Sequence, residues 1–532
     1  MNNRFYTTLS LSTGLLLCIG LSIVFTPASF AAGAPAQSAR PDTVTAGGTS
    51  NDPPSSSLIE NSVVKVFTTL RVPDLLKPWN KQAGREVTGS GLVIEGRRIL
   101  TNAHVVLYAG LIQIQGNKSG DKLTATVEAV APGIDLAVLK LKDESFFDSH
   151  KPLTFSRELP NVLDPVMVYG FPTGGSSLSI TKGIVSRIDF AAYNYPVAGL
   201  RVQIDAAVNR GNSGGPAIIG EKVAGIAFSR LPETDNIGYI IPCEEIELFL
   251  NDIADGHYDG KPGIFDKFQT MENPALRAFL KLDRSIKGII VHEPFQTDPS
   301  YPLKKWDVVS KIGDTPIDDQ GSIIRSDGQR ISFAYLAQKL AKNGTVPLTI
   351  VRQGQEMSIQ LPVSPSKPKL VPYLQGGYPS YFICGPLVFS VASEELITVL
   401  TNSKNSVPLL NVLTSNNNPL FSRRGDQPAF EGEELVIVPS PLLSHALARN
   451  YSPPTLEAVQ SINGIAVKNL CHLVEIIRDA KDEFIVFEFQ GGRGETLVFP
   501  RADLIAATDA ILSDNGIRTQ GSDDVMAVWN AK

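Results

Sequence analysis

The chain has 532 residues, of which 19% are charged and 43% hydrophobic, and its formal net charge is −6. A disordered chain combines low hydrophobicity with high net charge, so this composition excludes general disorder. It also excludes a basic protein that binds nucleic acid by neutralising phosphates. The four cysteines are too few for a disulfide scaffold. The length predicts three or four domains of roughly 150 residues each.

The first 31 residues have the layout of a secretory signal peptide. Arg4 provides a short positive region, residues 9–25 are apolar, and small residues surround Ala31. We therefore predict cleavage after Ala31 and export to the periplasm or the medium, with no stable membrane insertion of the mature chain. The alternative is an uncleaved anchor that holds the chain on the membrane, facing the periplasm. Residues 32–57, rich in Ala, Gly, Ser, Thr and Pro, are predicted to form a flexible tether.

Within residues 58–254, the stretch from Ser62 to about Phe228 carries mostly strand signals. Short apolar runs, such as residues 91–94 and 136–139, are separated by Gly, Pro, Asn and Asp. Many short strands with turn signals between them are typical of a β-barrel or sandwich. Residues 244–252 have apolar side chains at helical spacing and predict a helix that closes this block.

An internal repeat occupies the remainder of the chain. Residues 306–317 and 456–467 share one pattern at an offset of 150 residues. Each copy continues into an apolar-periodic helix, predicted at 332–340 and 470–480, and then into a hairpin that turns at a glycine. A repeated pattern of this length indicates a repeated structural unit. Two domains of one kind are therefore predicted, at 255–364 and 365–532.

Ser213 lies in the most informative stretch, DAAVNRGNSGGP at residues 205–216. A serine hydroxyl attacks a carbonyl when a base takes its proton and backbone N–H groups stabilise the oxyanion. We predict that Gly211 and Ser213 supply those N–H groups. The same letters fit the G-x-S-x-G elbow of α/β-hydrolases, but an elbow opens into a helix. Residues 217–228 predict a β-hairpin instead, which argues against the elbow.

His104, in the segment TNAHVV, is predicted to be the base. Asp135 stands at the head of the apolar strand predicted at 136–141, where a buried carboxylate needs a partner such as a histidine N–H. The order His, Asp, Ser along the chain is the order found in chymotrypsin.

The segments TNAHVV, GIDLAVLKL and DAAVNRGNSGGPA together resemble the HtrA/Deg family of trypsin-like serine proteases. The resemblance implies a mostly β chain with α+β modules: a chymotrypsin-like double β-barrel protease domain at 58–254, followed by two PDZ-like domains. It implies that His104, Asp135 and Ser213 are catalytic and that Gly211 donates to the oxyanion. Further similarity, at residues 271–274 and 378–382, points to the branch whose second PDZ domain is degenerate. The family resemblance also implies homo-oligomers built from trimers.

The resemblance further implies a specificity pocket near the serine that favours a small or medium apolar side chain. Its predicted residues precede Gly211 or lie on the following strand: Ala207, Ile226, Ala227 and Phe228. Phe228 could equally belong to the core.

A PDZ domain binds a peptide C-terminus by strand addition and holds its carboxylate with backbone N–H groups. The best match for such a loop contains Gly263 and Ile264, although Pro262 lacks an N–H. Residues 384–387 occupy the equivalent place in the second copy and also contain a proline. Carboxylate capture is therefore an open question for both domains, and assembly is the favoured role of the second.

The predicted function is ATP-independent hydrolysis of unfolded or damaged polypeptides by a serine endopeptidase. No metal or nucleotide cofactor is predicted, because no HExxH, Walker or GxGxxG pattern occurs in a suitable context. The alternative function is that of a chaperone or scaffold whose protease site is held in a resting geometry.

Overall fold

The computed structural model describes residues 55–175, 177–193, 195, 197–230, 238–326, 328–402, 407–491 and 494–531. The predicted signal peptide and most of the predicted tether lie outside these residues. Helix α1 (Ser55–Ser62) begins inside the last part of the predicted tether, at a run of serines. Within the described ranges, no helix combines the length and apolarity needed to cross a membrane.

Six antiparallel strands close a first barrel. They are β1 (Val63–Leu70), β2 (Arg85–Ile94), β3 (Arg98–Thr101), β4 (Ala109–Gly116), β5 (Leu123–Ala131) and β6 (Leu136–Leu141). Their order around the barrel is β1-β2-β3-β6-β5-β4. Buried aliphatic side chains such as Val66, Ile114 and Leu139 form one of its core clusters. Two short helices accompany the barrel, α2 (Ala103–Val106) after β3 and α3 (Phe146–Ser149) after β6.

A second barrel of six strands follows. Its strands are β7 (Pro165–Gly170), β8 (Ser179–Ala192), β9 (Ala198–Ile204), β10 (Pro216–Ile219), β11 (Lys222–Arg230) and β12 (Gly238–Pro242), in the order β10-β11-β12-β9-β8-β7. Helix α4 (Cys243–Asp252) confirms the predicted closing helix. Strands β10 and β11 pair as an antiparallel hairpin directly after Ser213, so the α/β-hydrolase elbow is excluded.

The middle part of the chain is built on one antiparallel sheet. Its strands are β13 (Lys267–Gln269), β14 (Ile289–Glu293), β15 (Val308–Ile312), β16 (Thr315–Pro316), β17 (Ser322–Ile324), β18 (Arg330–Ser332), β19 (Thr345–Arg352) and β20 (Gln355–Pro362), with helices α5 (Pro274–Phe279) and α6 (Ala337–Leu340). The main sheet has the order β13-β14-β15-β19-β20, β16 pairs with β15, and β17 pairs with β18. The helix predicted at 332–340 begins instead as a 3-10 turn, Phe333–Leu336, which Ser332 caps through its side chain.

The C-terminal part carries helices on two small sheets. Its helices are α7 (Glu394–Asn402), α8 (Val407–Ser415), α9 (Pro419–Ser422), α10 (Leu470–Asp479), α11 (Arg501–Asp514) and α12 (Asp523–Trp529). Its strands are β21 (Tyr381–Cys384), β22 (Leu387–Val391), β23 (Val436–Ile437), β24 (Val459–Ile462), β25 (Ile465–Ala466), β26 (Phe484–Phe489) and β27 (Leu497–Pro500). The sheets have the orders β21-β22-β23 and β25-β24-β26-β27.

The second copy of the repeat matches its prediction closely. Asn463 and Gly464 join β24 to β25 with φ angles of 48° and 74°. Two consecutive positive φ values are what a tight type I′ hairpin turn requires, and Asn-Gly is the pair that tolerates them best. Helix α10 lies where the periodicity predicts it, and β26 and β27 form the predicted hairpin.

Glu245 of α4 is a buried carboxylate between the second barrel and the middle part. It is fully enclosed, and Lys261 Nζ lies 2.5 Å from its Oε2. The backbone N–H of Leu200 donates to Oε1 at 2.7 Å, and the Gln338 side-chain amide donates at 3.3 Å. Burial lowers the pKa of Lys261, while the charge of Glu245 opposes that shift. One charged group thus holds together β9, α6 and the connector that follows α4.

Replacing Lys261 with alanine should leave the Glu245 carboxylate buried without its counter-charge. Removing one partner of a buried ion pair costs about 3–5 kcal/mol, because the remaining charge is uncompensated. The measurement is a urea titration followed by tryptophan fluorescence, with Lys267→Ala as the control. Lys267 and Glu293 form an exposed pair, which contributes little to stability. Equal urea midpoints for the two variants would show that the Lys261–Glu245 pair does not contribute to the stability of the fold.

Candidate active site

His104 lies on the short helix α2, directly after β3. Its Nδ1 atom is 2.7 Å from Oδ2 of Asp135, and its backbone N–H donates to Oδ1 of the same carboxylate at 2.9 Å. Two contacts to one carboxylate fix both the position and the rotation of the imidazole ring. The histidine side chain is 43% exposed, so its opposite edge remains accessible.

Asp135 stands between a 3-10 turn, Pro132–Ile134, and the first residue of β6. Its backbone is left-handed with a φ of 58°, a conformation that aspartate tolerates better than most residues. Its carbonyl accepts a hydrogen bond from the Asn102 side-chain amide at 2.9 Å. The residue is only 1% exposed. The structure therefore brings His104 and Asp135 together as predicted, with the carboxylate buried behind the ring.

The pKa of His104 reflects two opposing influences. Burial lowers it, because desolvation disfavours the imidazolium form. The negative charge of Asp135 and the hydrogen bond to it act in the other direction, and the net pKa is raised from its usual value. The carboxylate therefore stabilises a proton on this ring.

Ser213 lies in the loop between β9 and β10, and Gly211 shapes that loop. The Arg210 carbonyl accepts a hydrogen bond from the Thr173 backbone N–H at 2.8 Å. Because a trans peptide points its C=O and N–H in opposite directions, the N–H of Gly211 points away from Thr173. Gly211 has a φ of 101°, and a side chain there would collide with the Phe171 carbonyl oxygen.

Three polar groups of this loop are available to an incoming group. The backbone N–H groups of Gly211 and Ser213 make no hydrogen bond to any residue in the described ranges. The hydroxyl of Ser213, which is half-buried, likewise has no partner among them. His104 Nε2 and Ser213 Oγ are thus not hydrogen-bonded to each other in this structure.

Ser90, on β2, is a residue that the sequence analysis missed. It is fully buried, and its backbone N–H donates to the Ser213 carbonyl at 2.8 Å. Its hydroxyl donates to the Gly211 carbonyl at 2.7 Å and accepts from the Phe171 N–H at 2.8 Å. A serine between two glycines on a strand was the only local signal, and its partners lie far along the chain.

Gly89, next to Ser90, shows how closely the two halves of the site approach. A side chain at Gly89 would meet Val105, the neighbour of His104, at 2.8 Å. The same side chain would lie 3.4 Å from the Ser213 carbonyl oxygen. The helix that carries the histidine and the loop that carries the serine therefore converge on one glycine of β2.

The predicted specificity residues lie beside the Ser213 loop. Ala227 of β11 donates its N–H to the Gly215 carbonyl at 2.9 Å, and its own carbonyl accepts from the Gly214 N–H at 2.8 Å. The other residues are Ala207, which is half-buried, and the fully or almost fully buried Ile226 and Phe228.

Phe228 itself packs in the core. Its ring centroid is 5.1 Å from that of Tyr193 and 6.2 Å from that of Tyr239. These contacts favour the core role for its side chain. The specificity pocket stays a prediction.

The two predicted carboxylate loops already use N–H groups within the chain. The N–H of Gly263 donates to the Ser364 carbonyl at 2.9 Å, and Ile264 beside it is half-buried. In the second copy, the N–H of Gly385 donates to the Thr508 hydroxyl at 2.9 Å, at the turn between β21 and β22. An incoming carboxylate could use the N–H of Gly263 or Gly385 only by replacing a hydrogen bond that the chain itself makes.

Metal-ligating residues are dispersed. Across the described part of the chain, no group of three or more His, Cys, Asp or Glu side chains is placed to hold a metal ion. Cys243, Cys384 and Cys471 are free thiols. Burial raises the pKa of both Cys243 and Cys384 to about 12, so these two thiols stay protonated near neutral pH.

Two family models match the chain. One is described as a trypsin-like peptidase domain and matches residues 89–226, which contain His104, Asp135 and Ser213. The other is described as a PDZ domain and matches residues 372–524.

Curated relatives cover most of the chain. Protease Do-like 2, chloroplastic, of Arabidopsis thaliana is 35% identical over 473 residues, which are 88% of this chain and 75% of the relative. Protease Do-like 4, mitochondrial, of the same plant is 34% identical over 455 residues, 85% of this chain and 83% of the relative. A serine protease DegP homolog of Plasmodium falciparum is 28% identical over 526 residues, 79% of this chain and 58% of the relative.

Among solved structures, the HtrA-type protease AlgW with decapeptide matches with a TM-score of 0.46 and 21% identity, over 59% of this chain and 98% of that one. That similarity concerns the fold alone. Family membership follows instead from the curated relatives and from the peptidase and PDZ models. The peptidase match agrees with the two barrels, and it includes His104 and Asp135 of the first barrel as well as Ser213. This chain belongs to the HtrA/Deg family of Do-like, trypsin-like serine proteases.

Proposed function

We propose that this serine endopeptidase hydrolyses unfolded or damaged proteins without ATP, with Ser213 as nucleophile, His104 as general base and Asp135 as the residue that orients it. The proposal rests mainly on one observation. The buried Asp135 carboxylate contacts both the ring Nδ1 and the backbone N–H of His104. The unengaged N–H groups of Gly211 and Ser213 support the same chemistry, because a developing oxyanion needs such donors.

The proposed reaction proceeds through an acyl-enzyme. A carboxylate only accepts hydrogen bonds, so Nδ1 of His104 carries the proton that faces Asp135 and leaves a lone pair on Nε2. Nε2 takes the hydroxyl proton of Ser213 as Oγ bonds to the substrate carbonyl carbon. The carbonyl oxygen becomes negative and accepts from the N–H groups of Gly211 and Ser213.

Collapse of this intermediate breaks the C–N bond, and the leaving amine receives the proton from His104. Water then loses a proton to His104 and attacks the ester. The acid product departs, and Ser213 regains its hydrogen.

Location and assembly are further parts of the proposal. The leader predicted at residues 1–31 supports export to an extracytoplasmic compartment, whereas the two plant relatives above are named as chloroplastic and mitochondrial. We propose periplasmic or secreted localisation and homo-oligomers built from trimers. The proposed domain limits are 58–254, 255–364 and 365–532, supported by the end of the second barrel at α4 and by the two sheet systems that follow.

A second candidate function is a binding protein with a resting protease site. It is favoured by one observation: Ser213 Oγ makes no hydrogen bond to His104 in the described structure. Catalytic hydrogen bonds are often formed only when substrate is bound, so this geometry is also compatible with an active protease. Labelling by a serine-reactive phosphonate separates the two functions, since only a competent nucleophile reacts.

Replacing Ser213 with alanine should abolish both phosphonate labelling and cleavage of an unfolded protein. Losing the nucleophile of such a triad lowers kcat about 10⁶-fold in a well-studied serine protease. The control is Ser415→Ala, which alters an exposed serine on α8 and should behave as the wild type. Equal cleavage by the Ser213 variant would exclude Ser213 as nucleophile, and a wild type that neither labels nor cleaves would favour the binding protein.

Replacing Asp135 with asparagine should lower the pKa of His104. The carboxylate raises that pKa while burial lowers it, so the variant should titrate below the usual value of about 6.5. The base must be neutral to act, so the acid limb of kcat/KM should move to lower pH, and kcat should fall about 10⁴-fold. The pKa is measured by NMR on the histidine ring signals, which a His104→Gln variant assigns. The same pKa in both proteins would contradict the assigned role of Asp135.

Replacing Gly211 with alanine should weaken oxyanion stabilisation, because the new side chain collides with Phe171 and strains a backbone at φ 101°. Loss of one oxyanion donor costs about 10²–10³ in kcat. Steady-state kinetics on a peptide substrate should show this loss mainly in kcat. Gly220→Ala is the matched control, since Gly220 also has a positive φ but faces open space in the β10–β11 turn. Similar kcat values for both variants would argue against the donor role.

A further inference from the structure

A cavity of about 440 Å³ has His104 and Asp135 in one wall. The first barrel supplies further wall residues from its 72–82 loop and from Leu107 and Tyr108, and Tyr195 comes from the segment between β8 and β9. The remaining wall belongs to the C-terminal part: Tyr373, Glu395, Thr398 and Val399. Residues far beyond the protease barrels thus face the same space as the general base.

The C-terminal wall is attached to the barrel on both sides of the cavity. The rings of Tyr195 and Tyr373 meet edge to face, with centroids 5.0 Å apart. On the other side, the Tyr378 hydroxyl donates to the Arg71 carbonyl at 2.8 Å, and its ring lies 5.7 Å from that of Tyr108. These contacts position the C-terminal wall over the His104 side of the site.

Apolar packing reinforces this attachment. Leu75, in the 72–82 loop, packs on a buried cluster that contains Leu396 and Leu400 of α7. Trp79, in the same loop, packs on a second cluster that contains Tyr381 and Ile383 of β21. The loop that forms the cavity wall is therefore folded onto the C-terminal part of the chain.

Helix α7 turns an apolar side chain towards the cavity. Its buried residues are Glu394, Leu396, Ile397 and Leu400, whereas Val399 is 50% exposed and lines the cavity. Tyr108 is held in a left-handed backbone conformation with a φ of 64°, which is strained for a bulky residue. Strained residues of this kind cluster at functional sites.

The two carboxylates in the cavity wall, Asp135 and Glu395, are both engaged by donors of the chain, and Asp135 accepts from His104. Both carboxylate oxygens of Glu395 accept from the Leu374 backbone N–H, at 2.9 and 3.0 Å. Burial, and secondarily the charge of Glu395, raises the pKa of Tyr195 to about 12. The phenol of Tyr195 is therefore neutral near physiological pH, and it adds aromatic surface to the wall.

We propose that this cavity is a substrate subsite that takes a large apolar or aromatic side chain from a residue near the scissile bond, and that Tyr373 and Val399 of the C-terminal part form its outer wall. The inference rests on the proposed function of His104. A general base must lie within hydrogen-bond reach of the nucleophile, so a side chain in a cavity walled by that base belongs to a residue close to the bond being cut.

The occupant fits the proposed substrate. Folded proteins bury most large apolar side chains, whereas unfolded chains expose them, so a subsite for such side chains selects unfolded polypeptides. The C-terminal part would then influence the choice of cleavage site through a side-chain pocket, without capturing a peptide C-terminus.

The test compares variants on a library of internally quenched peptides. Each position on either side of the scissile bond is varied among Ala, Leu, Phe, Lys and Glu, and kcat/KM is measured. The wild type should prefer Leu or Phe over Ala by about 10-fold or more at one position, which is the discrimination that an apolar pocket can give. Val399→Asp should reduce the preference for Leu or Phe over Ala at that position, because it puts a charge into the cavity. Val399→Ile should retain the preference.

Val412→Asp is the matched control. Val412 is also a partly exposed valine on a helix, 39% exposed on α8, and it does not line the cavity. This variant should show the wild-type preference at every position. Circular dichroism compares the folding of the two aspartate variants, and Tyr195→Ala, which removes a ring from the facing wall, provides a second test if Val399→Asp does not fold.

The outcomes separate the two proposals. The apolar subsite would be overturned if both Val399→Asp and Tyr195→Ala kept the wild-type ratio of kcat/KM for Leu or Phe to that for Ala. It would also be overturned if the wild type preferred Lys at that position. In either case, phosphonate labelling of the wild type would still support the protease. A wild type that is not labelled at all would overturn the proposed function and the subsite with it.

Discussion

The hydrogen bonds of Ser90 fix the Ser213 loop of the second barrel against the first barrel, which carries His104 and Asp135. This fully buried serine of β2 donates its N–H to the Ser213 carbonyl and its hydroxyl to the Gly211 carbonyl, at 2.8 and 2.7 Å. Its own carbonyl accepts from the Thr101 hydroxyl at 2.7 Å, on the strand that leads to His104. Because each barrel carries only part of the catalytic set, the chemistry depends on this contact between them. The loss of a buried polar partner here would leave unsatisfied groups on both sides.

The local patterns of the sequence predicted much of this arrangement. The strand and turn signals predicted a β-barrel or sandwich and the hairpin after Ser213, whereas the pair of barrels was implied by the resemblance to the HtrA/Deg family. Helical periodicity predicted α4, and the repeat predicted α10 and its hairpin. The His104–Asp135 contact followed from a charged residue at the head of an apolar strand. These features depend on short-range periodicity or on motifs in which the chemistry itself restricts the residue types.

Other features depend on contacts between distant residues and could not be predicted in this way. Ser90 and Gly211 are 121 residues apart, and nothing near Ser90 indicates that its hydroxyl faces the loop of another barrel. The sequence left carboxylate capture open at both loops, and it did not indicate that the fold pairs the N–H groups of Gly263 and Gly385 with Ser364 and Thr508. The predicted helix at 332–340 starts as a 3-10 turn, which helical periodicity alone does not distinguish.

The C-terminal part of the chain is the largest addition that the structure makes to the sequence analysis. The repeat predicted a second domain of the same kind at 365–532, and the structure adds that Leu75 and Trp79, in the loop between β1 and β2, pack on its buried clusters. The packing of this loop on the C-terminal part therefore also determines the shape of the cavity beside His104. Leu75 takes part in both, because it lines the cavity and also packs on the buried cluster that contains Leu396 and Leu400 of α7.

A crystal structure of the chain after reaction with a serine-reactive phosphonate tests the catalytic roles most directly. If Ser213 is the nucleophile, phosphorus is bonded to its Oγ. If Gly211 and Ser213 are the oxyanion donors, a phosphoryl oxygen lies within hydrogen-bond distance of both N–H groups, with His104 still paired to Asp135. An adduct on another residue, or a phosphoryl oxygen directed away from both N–H groups, would exclude these roles.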